Sequence, residues 1–218
     1  GSTAPTGDYN IAIGSYALDA TTTGYTNIAI GHNAGTAITT GVANVAIGEN
    51  ALDACDGENY NVAVGYRSLS TENSGAYGCV AVGAHALDDQ NVADANNVAV
   101  GYNAAMNLTS GTDSVYIGFN AGGAGVITGD DNVCIGKSAG LNFTSGTANI
   151  AIGSLAMDAA NGNEHYNIAI GMNALGSETS SADGCVAIGY QALQTQNRDS
   201  SQSTAIGYLA GAAIPAST

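Results

Sequence analysis

A chain of 218 residues with 45% hydrophobic positions, 31 glycines, no tryptophan and only 6% aromatics is too apolar for a disordered tail. It is also too poor in large side chains for an ordinary globular core, so a thin interior of small and β-branched residues is expected. Three basic residues, Arg67, Lys137 and Arg198, against 18 acidic ones leave a formal net charge of -15. Nucleic acid and anionic membrane surfaces are therefore poor partners, and no apolar run nears the roughly 20 residues of a membrane span.

Residues 1–9 form a lead-in that contains Pro5 and begins with Gly1-Ser2, which reads as a cloning scar. From Asn10 onward a short motif recurs, marked by Gly14, Gly31, Gly48, Gly65, Gly83, Gly101, Gly118, Gly136, Gly153, Gly171, Gly189 and Gly207, each 17 or 18 residues after the last. Repeats this short and regular specify a solenoid, in which each coil buries its apolar side only against its neighbours. The array is one all-β domain over residues 10–211, a parallel β-solenoid (β-roll) of about twelve coils, followed by a run-out over 212–218. Proline occurs only at Pro5 and Pro215, outside the array, as an uninterrupted ladder of backbone hydrogen bonds requires.

Within each copy the residues one and three before the glycine are β-branched, from Ile11 and Ile13 to Thr204 and Ile206, and share one face of a strand. The opposite face carries Ala12, Ala29, Ala46, Ala63, Ala81, Ala99, Ala151, Ala169, Ala187 and Ala205, interrupted only by Tyr116 and Cys134. If Ile and Val fill the core, the alanine column is an outward apolar strip roughly 58 Å long, through which copies of the chain pack as a symmetric homotrimer. The glycine permits a corner, and the alanine three residues later predicts a second short strand. Four residues before the glycine stands Asn10, Asn27, Asn44, Asn61, Asn97, Asn132, Asn149 or Asn167, placed to pass hydrogen bonds from coil to coil. The seven or eight remaining residues, such as Asp19 to Tyr25 or Ser177 to Gly184, vary freely and read as exposed loops.

Coils seven to twelve repeat coils one to six at an offset of 104 to 106 residues. Gly78-Cys79-Val80-Ala81-Val82-Gly83 answers to Gly184-Cys185-Val186-Ala187-Ile188-Gly189, and Asp53-Ala54 to Asp158-Ala159. Two six-coil halves, about 10–113 and 114–211, follow, with Tyr116 and Cys134 expected to mark an irregularity at their junction.

The pattern Asn-x-Ala-Ile-Gly-x-x-Ala, as at Asn27 to Ala34 or Asn167 to Ala174, resembles the head repeats of trimeric autotransporter adhesins and similar repeats in phage tail fibres. The resemblance covers residues 10–211. It implies a left-handed β-roll, trimerised about a threefold axis and displayed outside the cell, on a bacterial surface or a virion. A period of 17 or 18 residues is longer than in adhesin heads and closer to the fibre-type arrays.

Catalytic and metal chemistry find little support in the sequence, which implies no cofactor and no enzymatic activity. His32, His85 and His165 occupy different places in the repeat and read as exposed loop residues. Asp19, Asp53, Asp88 and Asp158 share a column but never in adjacent coils, which reads as a solvated face. Acidic stretches such as Asp53 to Glu58 and Asp130-Asp131 lack the regular aspartate spacing of calcium-binding β-rolls. Cys79 and Cys185 lie six coils, about 29 Å, apart, beyond disulfide reach, and with Cys55 and Cys134 they read as thiols. Tyr66, Tyr102, Phe119, Tyr190 and Tyr208 share the position after the glycine. There they either cover the corner or, for Tyr66, Tyr102, Tyr190 and Tyr208, offer contact to a surface glycan. The expected function is a rigid trimeric shaft or head for host attachment. The alternatives are an ice-binding face and, less favoured, a glycan-cleaving spike with carboxylates paired between chains.

Overall fold

The computed structural model describes residues 7–54, 56–57, 59–71, 76–90, 95–159, 163–177, 183–195 and 202–212. Cys55, Glu58, the two prolines, Gly1-Ser2, residues 178–182 and the run-out beyond 212 lie outside the described residues. The fold is an all-β parallel solenoid. Each coil contributes one three-residue strand: β1 (Ile11–Ile13), β2 (Ile28–Ile30), β3 (Val45–Ile47), β4 (Val62–Val64), β5 (Val80–Val82), β6 (Val98–Val100), β7 (Val115–Ile117), β8 (Val133–Ile135), β9 (Ile150–Ile152), β10 (Ile168–Ile170), β11 (Val186–Ile188) and β12 (Thr204–Ile206). They stack in sequence order into a single twelve-stranded sheet with like on like, Ala29 beside Ala46 and Ile30 beside Ile47. Eleven interstrand steps of about 4.8 Å put about 53 Å between the first and last strands.

The expected orientation of the strands is reversed. Ala29, Ala63, Ala81, Ala99, Ala151, Ala169 and Ala187 are fully buried and Ala46 almost so, whereas the flanking Ile and Val side chains are partly or largely exposed. Ala12 and Ala205 are less covered because their strands have a neighbour on one side only. The alanine column therefore lines the interior. Its methyls face the residues three and four after the glycine, such as Ala51 and Leu52, both fully buried. The reason is width. A large side chain already crosses the interior from the far wall, and only a methyl fits opposite it.

That large side chain is supplied in one of two ways. Coils 1, 3, 4, 5, 9, 10 and 11 carry Leu18, Leu52, Leu69, Leu87, Met157, Leu175 and Leu193 four residues after the glycine, all buried. In coils 2, 6, 7 and 8 the same position holds Gly35, Ala105, Gly122 or Gly140. There the stretch expected to be an exposed loop sends in Ile38, Leu108, Ile127 or Phe143, each fully buried. A methyl added at Gly35 would stand 3.0 Å from Ile38 Cδ1, and one at Gly140 would stand 3.0 Å from Phe143, so the two sources fill the same space. Tyr116 and Cys134 are accommodated likewise. Gly122 and Gly140 leave the room that their larger side chains occupy, with a methyl at either glycine falling 2.5 Å from the Tyr116 ring or the Cys134 sulfur. The strands β6, β7 and β8 pair in unbroken register, so the sheet shows no irregularity at the junction of the halves.

No second strand follows the glycine among the described residues. Instead the backbone alternates in sign: in coil 3, Gly48, Asn50 and Leu52 have φ of 133°, 55° and 50°. The alternation turns the N–H groups of alternate residues toward opposite neighbours, with the one between them donating within its own coil. Asn50 N–H donates to His32 C=O of the preceding coil at 3.0 Å, and Leu52 N–H to Ser68 C=O of the following one at 3.0 Å. Intercoil hydrogen bonding thus continues through a segment that is not extended. Left-handed backbone at a leucine costs about 1 kcal/mol or more, and it is held here by bonds from both sides.

The asparagine ladder is present. Asn27 Oδ1 accepts the Asn44 N–H at 2.9 Å, Asn44 Oδ1 the Asn61 N–H at 3.0 Å, and Asn149 Oδ1 the Asn167 N–H at 3.0 Å. The side-chain amides close the turn below, as Asn27 Nδ2 does on Gly41 C=O at 2.7 Å. These asparagines are buried, so the ladder satisfies backbone groups that would otherwise be stranded in the interior. Ser114 replaces asparagine without a break, its Oγ accepting the Asn132 N–H at 2.9 Å.

Candidate interaction surface

With alanine inside, the outward face of the sheet is the double row one and three before each glycine. Of its twenty-four positions, twenty-three are Ile or Val and one is Thr204; none is charged. At about 53 Å long and about 10 Å wide, the strip presents about 500 Å² of nearly continuous β-branched surface, the upper range for an unpartnered apolar patch. Ile11, Ile13, Ile117, Ile170, Thr204 and Ile206 are its most exposed members. Of the residues expected to form an interface between chains, Ala29, Ala46, Ala63, Ala81, Ala99, Ala151, Ala169 and Ala187 are enclosed and cannot do so, while Ala12 and Ala205 continue the same inward column in its first and last coils.

One edge of the strip carries the residues that follow the glycine. Tyr66, Tyr102, Phe119, Tyr190 and Tyr208 stand there and are exposed, in agreement with their reading as surface rings. They form ladders. Tyr102 and Phe119 are stacked at 5.8 Å and 11°, and Tyr190 and Tyr208 at 5.3 Å and 11°. His85 stands edge-on between Tyr66 at 5.2 Å and Tyr102 at 6.2 Å, so a run of four rings spans coils 4 to 7. In the stacked pairs each ring turns a face to its neighbour, so those tyrosines pack along the corner and offer mainly edges to a sugar. The opposite edge carries Tyr9, Tyr60 and Tyr166, also exposed and all at positive φ.

A polar cluster lies behind the first ladder, and sequence reading missed it. Asp53, Ser70 and Asp88 occupy the same place in coils 3, 4 and 5, so the aspartate column is bridged by a serine. Asp88 is 6% exposed and is held by three donors: Ser70 Oγ, His85 Nδ1 at 2.7 Å from Oδ2, and Arg67 at 3.5 Å from Oδ1. The column is thus partly interior rather than a solvated face. Desolvation is the main cause raising the Asp53 carboxyl above its usual range, with backbone hydrogen bonding and Arg67 opposing it and Asp88 adding to it. Asp158, its counterpart in the second half, is raised by burial as well. The Ser70 hydroxyl is spent on Asp88 instead of the His85 imidazole, so the serine is not poised as a nucleophile. The cluster fastens two coils.

The other expected sites fall apart or inward. His32 is exposed against Tyr16, while His165 is half-buried, its Nδ1 accepting the Thr147 N–H at 3.1 Å. Neither joins His85. Asp130 Oδ1 accepts the Thr112 N–H at 2.8 Å, and no group of three metal-ligating side chains occurs among the described residues. Cys79, Cys134 and Cys185 are buried thiols. Burial pushes the Cys134 thiol and the Tyr116 hydroxyl far above their usual ranges, the latter lying beside Ser114 and Asn132 without a well-formed hydrogen bond. No helix of the described residues is long and apolar enough to cross a membrane. No known protein family, curated protein or solved structure matches the chain.

Proposed function

We propose that this chain is a structural attachment module: a rigid shaft or head in which three copies turn their Ile/Val faces to a common axis. The observation that carries the reading is the uncharged double row of β-branched residues on the outside of the sheet. Its about 500 Å² falls short of the about 800 Å² per partner of a standard interface. The corner rows on both sides must contribute, and an arrangement in which each copy meets two others uses both edges. The stacked rings of one corner and Tyr60 and Tyr166 of the other supply amphipathic area suited to a partly wet rim. Display on a virion tail fibre or a bacterial surface, with the variable stretches turned outward toward host glycans, follows from the repeat resemblance. The reading assigns no cofactor and no catalysis.

Light scattering tests it: a mass near three times 21.4 kDa is expected. Val82→Asp with Val98→Asp, two outward positions, should give a single-chain mass with an unchanged β-sheet circular dichroism spectrum. A single-chain mass for the parent protein at all concentrations overturns the proposal. The regular spacing of the exposed rows favours one other reading, an ordered face for ice. A thermal hysteresis activity that survives in a single-chain parent would establish it, although Thr204 is the lone threonine in the rows.

A further inference from the structure

The corner opposite the stacked rings is built from the residue five before each marker glycine. Tyr60, Gly78 and Asn96 hold that place in coils 4, 5 and 6, and Tyr166, Gly184 and Gln202 hold it in coils 10, 11 and 12. A ring, a bare glycine and a carboxamide therefore follow one another twice, at an offset of 106 residues. We infer that each trio is a binding site for a neutral saccharide, the ring receiving the C–H face of a pyranose and the carboxamide its hydroxyls. The inference rests on the attachment reading above and gives it a ligand class and a place.

The backbone does not demand glycine at this corner. Thr26, Ala43 and Ala148 occupy the same place at φ of 57°, 58° and 55°, beside 68° at Gly78 and 67° at Gly184. What the two glycines supply is room, and in both trios the carboxamide side chain lies over it. A methyl at Gly78 would stand 2.8 Å from Asn96 Oδ1, and one at Gly184 would stand 3.6 Å from Gln202 Cγ. Asn96 Nδ2 donates to Asp113 Oδ1 at 3.4 Å, so the amide nitrogen points toward coil 7. Its oxygen lies over coil 5, one step of about 4.8 Å from the level of Tyr60. Amide and carboxylate together offer the donor and acceptors that sugar hydroxyls engage.

The rings are presented differently from those of the other corner. Tyr60 and Tyr166 are 56% and 68% exposed. Tyr60 meets Tyr77 edge to face at 5.3 Å and 68°, and Tyr166 is tilted to His165 at 6.0 Å and 42°. An edge-to-face contact covers a single ring face where stacking covers two, so aromatic face stays open beside the carboxamide. An apolar platform with a few orienting polar groups is what a sugar ring requires. Charge narrows the ligand. Asp113 and Asp183 border the two trios, Arg67 and Lys137 stand on the other corner, and no lysine or arginine lies at this one among the described residues. With a net charge of -15 around it, the corner repels a sialylated or sulfated glycan and admits a neutral one.

Saturation-transfer NMR titrations of the purified protein test this, with neutral oligosaccharides of galactose, glucose and N-acetylglucosamine, each beside its sialylated or sulfated counterpart. A neutral member should bind at least about tenfold more tightly than its anionic counterpart. Tyr60→Ala with Tyr166→Ala removes both platforms and should abolish binding. Asn96→Ala with Gln202→Ala removes both carboxamides and should weaken it at least about tenfold. Ala43 and Ala148 hold the same backbone place, so both double variants should keep the parent's circular dichroism spectrum. The inference is overturned if the parent binds no neutral member, if anionic counterparts bind equally, or if binding is undiminished in both double variants. A trimer that binds no saccharide removes this inference and leaves the shaft, whereas a single chain that binds one removes the shaft and leaves the sites.

Discussion

The asparagine ladder offers the most quantitative test of how this solenoid is held together. Asn97 is fully buried in the middle of the array. Its Oδ1 accepts the Ser114 N–H at 2.9 Å, and its Nδ2 donates to Gly111 C=O at 2.8 Å and to Gln90 Oε1 at 3.3 Å. Asn97→Ala strands a buried N–H and a buried C=O, at about 1–3 kcal/mol each, for a loss of about 2–6 kcal/mol. Asn97→Asp separates the two halves of the effect. The carboxylate still accepts from Ser114 but confronts the oxygens of Gly111 and Gln90, so its folded-state pKa lies above the unfolded value of about 3.9. A raised folded-state pKa means stability that is present at low pH and lost as pH rises through it. The Asp variant should therefore fall well below the parent at pH 7 and approach it near pH 3. Urea unfolding followed by circular dichroism measures both, with midpoints compared because a repeat array need not unfold in one step. An alanine variant within about 0.5 kcal/mol of the parent would refute the claim that the ladder satisfies buried backbone groups.

The marker glycines separate clash from strain: Gly136→Ala (φ 135°, methyl 2.6 Å from Gly153 C=O) should destabilise the protein by over about 1 kcal/mol more than Gly207→Ala (φ 132°, methyl in ordinary contact with Ala210 Cβ at 3.9 Å), and equal losses would count against stacking of coil on coil. Because burial raises the Asp53 carboxyl, ionisation opposes folding at neutral pH; Asp53→Asn should raise the urea midpoint at pH 7 and lose that gain near pH 3, whereas a pH-independent effect would contradict the desolvation. Asp158→Asn should behave alike. A thiol reagent should modify no more than one of the four cysteines in the native protein and all four in urea, and fast native labelling of Cys134 would place it wrongly.

Much of the fold was legible in the chain because repetition amplifies weak signals. One Asn-Val-Ala-Ile-Gly is an ordinary phrase, but twelve variants of it at 17 or 18 residues dictate a stack of coils with like over like in register, although the second strand expected after each glycine does not form. The asparagine ladder was legible for the same reason, since a buried turn repeated at that spacing has to satisfy its backbone from the next coil. The exchange between Leu52-type and Ile38-type core residues went unread, because the stretches bearing Ile38, Leu108, Ile127 and Phe143 read as exposed loops, although glycine or alanine four residues after the marker is accompanied there by a large apolar residue further on. The polar cluster was hidden because Ser70 stands between Asp53 and Asp88, and only stacking makes three residues seventeen or eighteen apart into neighbours.

What the sequence by itself could not decide was which way the strands face. Period two separates Ile47 from Ala46 but does not say which is inside when both are apolar, and the usual preference for burying the larger side chain points the wrong way. The tertiary structure decided it through cross-section. Tight corners with residues at positive φ bring the wall bearing Ala51 and Leu52 so close to the strand that the leucine fills the gap and only a methyl can meet it, leaving the isoleucines and valines outside.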